Sequence, residues 1–250
     1  MKEFVASRMA AMGYEIVNKS RLPADMEDDF HVIYKRCREY TSTSIERMYG
    51  MYKATEYIVR SDVKGAVVEC GVWRGGSTMA AALTLQKLGV TDRWIYLYDT
   101  FSGMAEPSEK DISLDGSRAR EIWSQSQSTS HNTWCYASLD EVRRNLLSTE
   151  YPVDRCVFVK GKVEDTIPET IPEKIALLRL DTDWFSSTYH ELVHLFPRIS
   201  PNGVLIIDDY GHWKGAREAV DEYIASRKLK LILHRLDYTG RIGIKSGEEP

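Results

Sequence analysis

The stretch Val67-Val68-Glu69-Cys70-Gly71-Val72-Trp73-Arg74-Gly75-Gly76-Ser77 decides how the rest of the chain is read. A short apolar run passes into a glycine-bearing turn and then into the helical pattern Ser77–Leu88. That order is a strand, a tight turn and a helix start. Its glycines let backbone N–H groups come close to a ligand, and the helix N-terminus favours a negative group. The dinucleotide fingerprint G-x-G-x-x-G is not met, because Trp73 stands where a second glycine must let a pyrophosphate approach.

Working outward, further apolar runs (WIYLYD, RCVFVK, KIALLRLD, GVLIIDD) alternate with the helical patterns Leu139–Leu147, Trp184–Phe196 and Trp213–Ser226. Strand–helix alternation with nearly continuous Val, Ile and Leu predicts a parallel sheet buried on both faces, a Rossmann-like α/β fold. The last two runs, KLILHRL and RIGIKS, are separated only by Asp237-Tyr238-Thr239-Gly240, too short for a crossover helix, so they form an antiparallel hairpin. The count is seven strands, mostly parallel. Upstream, residues 1–62 read as an amphipathic helical segment, with Ile45, Met48, Tyr49, Tyr52, Tyr57 and Ile58 recurring at helical spacing. The chain thus divides into an N-terminal helical segment, 1–62, and an α/β domain, 63–250. Between Thr100 and Ser138 lies a polar stretch too long for an ordinary connection, and Trp123 and Trp134 within it favour a lid with something to pack on.

The chain has 250 residues, with 37 acidic against 33 basic side chains and a net charge of −4. That balance lacks the basic excess of a nucleic-acid binder. No run of about 18 apolar residues could span a bilayer, and the N-terminus lacks a secretory signature, so a cytoplasmic location is expected and no membrane partner. The four cysteines form no CxxC pair, so neither a zinc knuckle nor a redox motif is written here.

Most strands end in an acid or a lysine, and polar strand ends on one edge mark a ligand crevice. What remains of the glycine motif, E-x-G-x-x-x-G, is a pattern of S-adenosylmethionine enzymes. Asp99 ends the second strand, where an acid can accept both ribose hydroxyls, a demand shared by NAD and S-adenosylmethionine. Asp165 follows the third strand and could accept from an adenine amino group. Singly, each acid is as readily a helix cap; three in strand order are harder to dismiss. The fourth strand ends Leu180-Asp181-Thr182-Asp183 and the fifth Ile207-Asp208-Asp209-Tyr210. Adjacent parallel strands bring these carboxylates to one mouth of the sheet, where unpaired they would repel and raise one another's pKa. A hard divalent cation resolves the conflict, with Mg²⁺, Mn²⁺ and Ca²⁺ left open.

His190-Glu191-Leu192-Val193-His194 satisfies H-E-x-x-H, the zinc-peptidase helix motif. The context argues against zinc hydrolysis: Phe185, Thr188, Leu192, Leu195 and Phe196 form the apolar stripe, and both histidines turn away from it.

The runs VVECGVWRGGST, YDTFSGM, LLRLDTDWFSST and LIIDDYGHWKGAREAVDEY, with YTSTSIERMYGMY upstream, resemble the macrocin O-methyltransferase family across about residues 40–245. The resemblance implies a class I methyltransferase fold and S-adenosylmethionine- and Mg²⁺-dependent methylation of a sugar hydroxyl on a glycoside or polysaccharide. By position, it implies that Thr41, Glu69, Gly71, Ser77, Asp99, Ser102 and Asp165 contact the cofactor, and that Asp181, Asp208 and Asp209 hold the metal. Asp181 would also be the general base, with His212 as rival. A homodimer through the N-terminal helices is implied too. Other readings are methylation of a catechol-like acceptor and a non-catalytic cofactor-binding subunit.

Overall fold

The apolar runs fold into strands β1 (Ala66–Cys70), β2 (Ile95–Asp99), β3 (Cys156–Lys160), β4 (Ile175–Leu180) and β5 (Ile199–Ile207), followed by β6 (His234–Arg235) and β7 (Arg241–Ile244). The structure, a computed structural model, describes residues 22–247. The strands form one sheet in the order β3-β2-β1-β4-β5-β7-β6. β1 to β5 run parallel, and β7 lies antiparallel between β5 and β6. The expected seven-stranded sheet with a terminal hairpin is what forms. The hairpin's first strand is reduced to two residues, and Ile232 just before it is 85% exposed.

Alternation along the strands builds a core on each face. Val67, Leu97, Leu177 and Ile206 meet the helices α1 (Asp28–Cys37), α2 (Ile45–Arg60) and α3 (Gly76–Lys87). Val68, Tyr98, Leu178 and Ile207 face the other way, toward α7 (Phe185–Leu195) and α8 (Lys214–Ser226). With apolar groups on both sides, each central strand loses water completely, so it reads as a continuous hydrophobic run. The helical reading of residues 1–62 holds for α1 and α2, and its first 21 residues lie outside the described ones. Ser44 starts α2 by accepting from the Arg47 amide, a side-chain cap.

The polar insertion after β2 is ordered, with α4 (Ala119–Gln125) inside it and α5 (Leu139–Leu147) directly after it. α6 (Val163–Thr166) follows β3. The insertion fastens onto the starts of α7 and α8: Phe185 N–H donates to Asp111 Oδ1 at 2.8 Å, and Lys214 N–H donates to Ile112 O and Leu114 N–H to His212 O, both at 2.9 Å. It is a docked wall around the carboxyl edge of the sheet. Among the described residues no helix is long and apolar enough to cross a membrane.

Candidate active site

A cavity of about 300 Å³ opens at the carboxyl ends of β1, β2, β4 and β5, where the strand-end acids were read to converge. Its floor is the glycine turn. Gly71 has φ +81°, and a Cβ there would stand 1.9 Å from the Asp181 carbonyl oxygen. The residue must therefore be glycine, and the β1 and β4 loops touch through it. Trp73 adopts φ +46° in the same turn and lines the cavity. Asp99 fixes this backbone: its Oδ2 accepts from the amides of Val72 (2.7 Å) and Trp73 (3.0 Å), and Oδ1 from Phe101 (2.7 Å). Burial raises its pKa and these amides oppose the rise.

Of the sequence-predicted residues, Gly71, Asp99, Asp181, Asp208 and Asp209 line this cavity. Thr41, Glu69, Ser77, Ser102 and Asp165 are not in its lining, although their neighbours Ser42, Gly103 and Glu164 are. Glu69 is buried inside β1, where it accepts from the Thr78 hydroxyl and pairs with Arg179 Nη1 at 2.5 Å. Ser77 lies in the first turn of α3 with its hydroxyl 3.8 Å from Met48 Sδ. Thr41 bonds to Thr43 at 2.9 Å, and Ser102 borders a neighbouring groove.

The three aspartates do come together: one carboxylate oxygen from each of Asp181, Asp208 and Asp209 lies within 4.8 Å of the others. Two arginines that the sequence reading missed sit among them. Arg179 Nη1 is 2.8 Å from Asp181 Oδ2, and its Nη2 donates to Asp208 Oδ1 at 2.6 Å. Arg47, reaching in from α2, pairs with the other oxygen of Asp208, while its Nε donates to Asp237 Oδ2 at 2.9 Å. The expectation of acids left unpaired is thus corrected for Asp208 and Asp181. Asp209 differs: its Oδ2 is buried with no hydrogen-bond partner. Burial pushes the carboxyls of Asp181 and Asp209 well above the ordinary range, and Asp183 up to about 7. Asp181 keeps 24% side-chain exposure and is reachable from the cavity.

This donor set fits a divalent cation. It offers only carboxylate oxygens, and no arginine pairs with Asp209; a cation held there would favour the ionised forms that burial alone disfavours. One side of the cavity is aromatic. Trp134, Trp184 and Trp213 meet edge to face with ring centroids 5.2–6.1 Å apart, and His212 stands 4.7 Å from Trp213. Burial lowers the His212 pKa, which keeps the ring neutral.

The H-E-x-x-H helix holds no such site. His190 Nε2 donates to Ile167 O at 2.9 Å, and Glu191 is fully buried, accepting from Thr182 Oγ1 at 2.9 Å. Burial raises the Glu191 pKa well above its usual range, which disfavours the carboxylate form a zinc-site base would need.

A parallel sheet ending in an antiparallel strand pair, with its ligand cavity at the carboxyl edge, defines a class I methyltransferase. Residues 7–242 match the macrocin-O-methyltransferase (TylF) family, and the chain belongs to it, as an S-adenosylmethionine-dependent O-methyltransferase. It is 30% identical to demethyldecarbamoylnovobiocin O-methyltransferase of Streptomyces niveus over 80% of this chain and 74% of that one. It is 33% identical to mycinamicin III 3''-O-methyltransferase of Micromonospora griseorubida over 74% of this chain and 70% of the relative. The solved structure of the O-methyltransferase NovP superposes with a TM-score of 0.73 at 30% identity, covering 83% of this chain and 82% of that one.

Proposed function

We propose that the enzyme methylates a sugar hydroxyl of a glycosylated small molecule, with Mg²⁺ held by Asp181, Asp208 and Asp209 and Asp181 as general base. Support for a sugar acceptor comes from the relatives' names, among them an 8-demethyl-8-(2,3-dimethoxy-alpha-L-rhamnosyl)-tetracenomycin-C 4'-O-methyltransferase of Streptomyces olivaceus, 32% identical over 80% of this chain. The observation that carries the metal reading is the buried, unpartnered Asp209 Oδ2 beside two further carboxylates.

S-adenosylmethionine brings a methyl group already activated by its sulfonium, so the difficulty lies with the alcohol, a weak nucleophile and a very weak acid. When bound, Mg²⁺ would supply Lewis acidity that makes the hydroxyl easier to deprotonate. The chain's own groups do the rest. Asp181 accepts the hydroxyl proton as the oxygen bonds to the methyl carbon and the carbon–sulfur bond breaks, leaving S-adenosylhomocysteine. Arg179, 2.8 Å away, opposes the rise that burial imposes on the Asp181 carboxyl, and a bound cation would favour its ionised form further. Gly71 and the Asp99-held turn shape the cofactor side, while the tryptophan wall excludes water and orients the acceptor. His212, neutral and lowered in pKa, is the weaker base. A homodimer and a cytoplasmic location belong to the same reading.

Labelled-methyl transfer to a panel of deoxysugar glycosides and catechols tests the proposal. The expected result is a methylated glycoside, activity lost with EDTA and regained with Mg²⁺. Transfer to catechols alone, or indifference to EDTA, would overturn the corresponding half.

A further inference from the structure

Asp111 lies in the insertion, and nothing in the proposed reaction uses it. It is nevertheless an acid with 1% exposure. Its Oδ2 accepts from the Ser108 amide at 2.6 Å and the Ser108 hydroxyl at 2.7 Å, and its Oδ1 accepts from the Phe185 amide at 2.8 Å. Phe185 opens α7, and the N-cap residue of that helix, Trp184, offers no side-chain cap. Asp111 therefore does from a distant part of the chain what an N-cap side chain does locally.

Trp184 closes the ring. Its Nε1–H donates to Ala105 O at 2.9 Å. Residues 105–111 are thus fastened at both ends to the dipeptide Trp184–Phe185, which directly follows Asp181-Thr182-Asp183. The notch that receives the carboxylate is made by Gly215 in α8, where a Cβ would stand 2.2 Å from Asp111 Oδ1. Within the turn so held Asp183 has φ +70°, a left-handed conformation that aspartate takes up more readily than most other side chains.

We propose that Asp111 is a positioning residue: by stapling residues 105–111 to Trp184–Phe185 it holds the Asp181–Asp183 turn so that its carboxylates face the cavity. A plain helix cap would stabilise α7 and no more. The staple sets the geometry of the acid cluster and joins the acceptor wall to it. The first readout below rests on the metal reading of that cluster, and the second does not.

The full-length protein, saturated with S-adenosylhomocysteine, is titrated with Mn²⁺ by electron paramagnetic resonance. Asp111→Ala, Trp184→Phe and Gly215→Ala are each expected to weaken Mn²⁺ binding about tenfold, while calorimetric affinity for S-adenosylhomocysteine stays within about twofold. Asp111→Asn keeps one oxygen for the Phe185 amide but turns an NH2 on the Ser108 amide, and is expected to lose less than Asp111→Ala. The Asp111→Ala/Trp184→Phe pair should lose no more than the worse single variant, because both cut the same ring. If the wild type binds no Mn²⁺, the metal reading fails, and the staple is judged on hydrogen exchange over residues 182–185. Exchange there should quicken about tenfold in Asp111→Ala and by less in Asp111→Asn. Folded Asp111→Ala and Gly215→Ala proteins with wild-type Mn²⁺ affinity and wild-type exchange would overturn the proposal. Additive losses, or an equal loss of S-adenosylhomocysteine affinity, would also overturn it, the latter marking a merely structural role.

Discussion

Replacing Arg179 by Met should be the most costly single change near the site, and its cost follows from what the guanidinium touches. Arg179 is 4% exposed and contacts Glu69 (1% exposed), Asp208 (2%) and Asp181. Methionine fills much of the same volume, so the loss is electrostatic: Glu69 retains only the Thr78 hydroxyl, and Asp208 retains only Arg47. Removing one partner of a buried ion pair costs about 3–5 kcal/mol, because an uncompensated charge stays behind. For a chain of this size that is a fall in Tm of roughly 6–20 °C. The deficit must also depend on pH. Burial already raises the Glu69 pKa, and removing Arg179 raises it further. A carboxyl whose folded pKa lies above its unfolded value makes the folded state bind more protons, so stability falls as pH rises from the unfolded pKa through the folded one. The variant should therefore lie closest to wild type near pH 5 and farthest above pH 7. Differential scanning calorimetry at pH 5, 6, 7 and 8, with Glu69→Gln/Arg179→Met as a partial rescue, measures this. A deficit below about 1 kcal/mol, or one that does not change with pH, would refute the reading that Arg179 offsets the cost of burying these carboxylates.

Asp181→Asn should abolish transfer while leaving S-adenosylhomocysteine affinity within about twofold by calorimetry, since it removes a proton acceptor and not a cofactor contact; wild-type turnover would dismiss it as base. Asp99→Ala should weaken cofactor affinity by more than about tenfold, because the amides of Val72, Trp73 and Phe101 lose their common acceptor; an unchanged dissociation constant would contradict that role. Asp183, pushed up to about 7, holds its proton in the folded cation-free protein after the unfolded chain has lost it. Stability without cation should therefore fall between about pH 4 and pH 7. The thermal shift caused by Mg²⁺ should grow over the same interval, since cation and proton compete for the site. An equal shift at pH 5.5 and pH 8 would count against the cluster as the binding site.

Much of this architecture was legible because burial on both faces leaves so plain a pattern. Five continuous apolar runs alternating with helical patterns imply a parallel sheet covered on both faces, though not its strand order, and four residues between the last two runs admit only a hairpin. The strand-end aspartates were legible for the same reason, since parallel neighbours must bring their ends together. The Arg179–Glu69 pair was readable and was passed over. Each is the one charged residue inside an otherwise apolar strand, and the register of β1 on β4 sets them directly opposite. Arg47 gave no such sign, because a single arginine on an amphipathic helix is unremarkable until the helix is docked. The anchorage of the insertion was hidden for a different reason: its bonds are to backbone groups at the starts of α7 and α8, which leave no trace in side-chain pattern.

The two arginines also explain how so acidic a centre can fold before any ligand arrives. Buried carboxylates without counter-charge would be protonated, and a protonated acid is a poor ligand and no base. Arg179 sits between Asp181 and Asp208, and Arg47 binds the far oxygen of Asp208. Asp208 is thus saturated with positive charge, Asp181 has one guanidinium contact, and Asp209 has an oxygen with no partner. Attraction for a further cation is therefore concentrated toward Asp209 and the open side of Asp181, where the cavity lies. Without the arginines the carboxyls would be pushed higher still, since only desolvation and mutual repulsion would act on them. Their uneven placement leaves Asp209 and the open side of Asp181 as the part of the cluster with least positive charge against it.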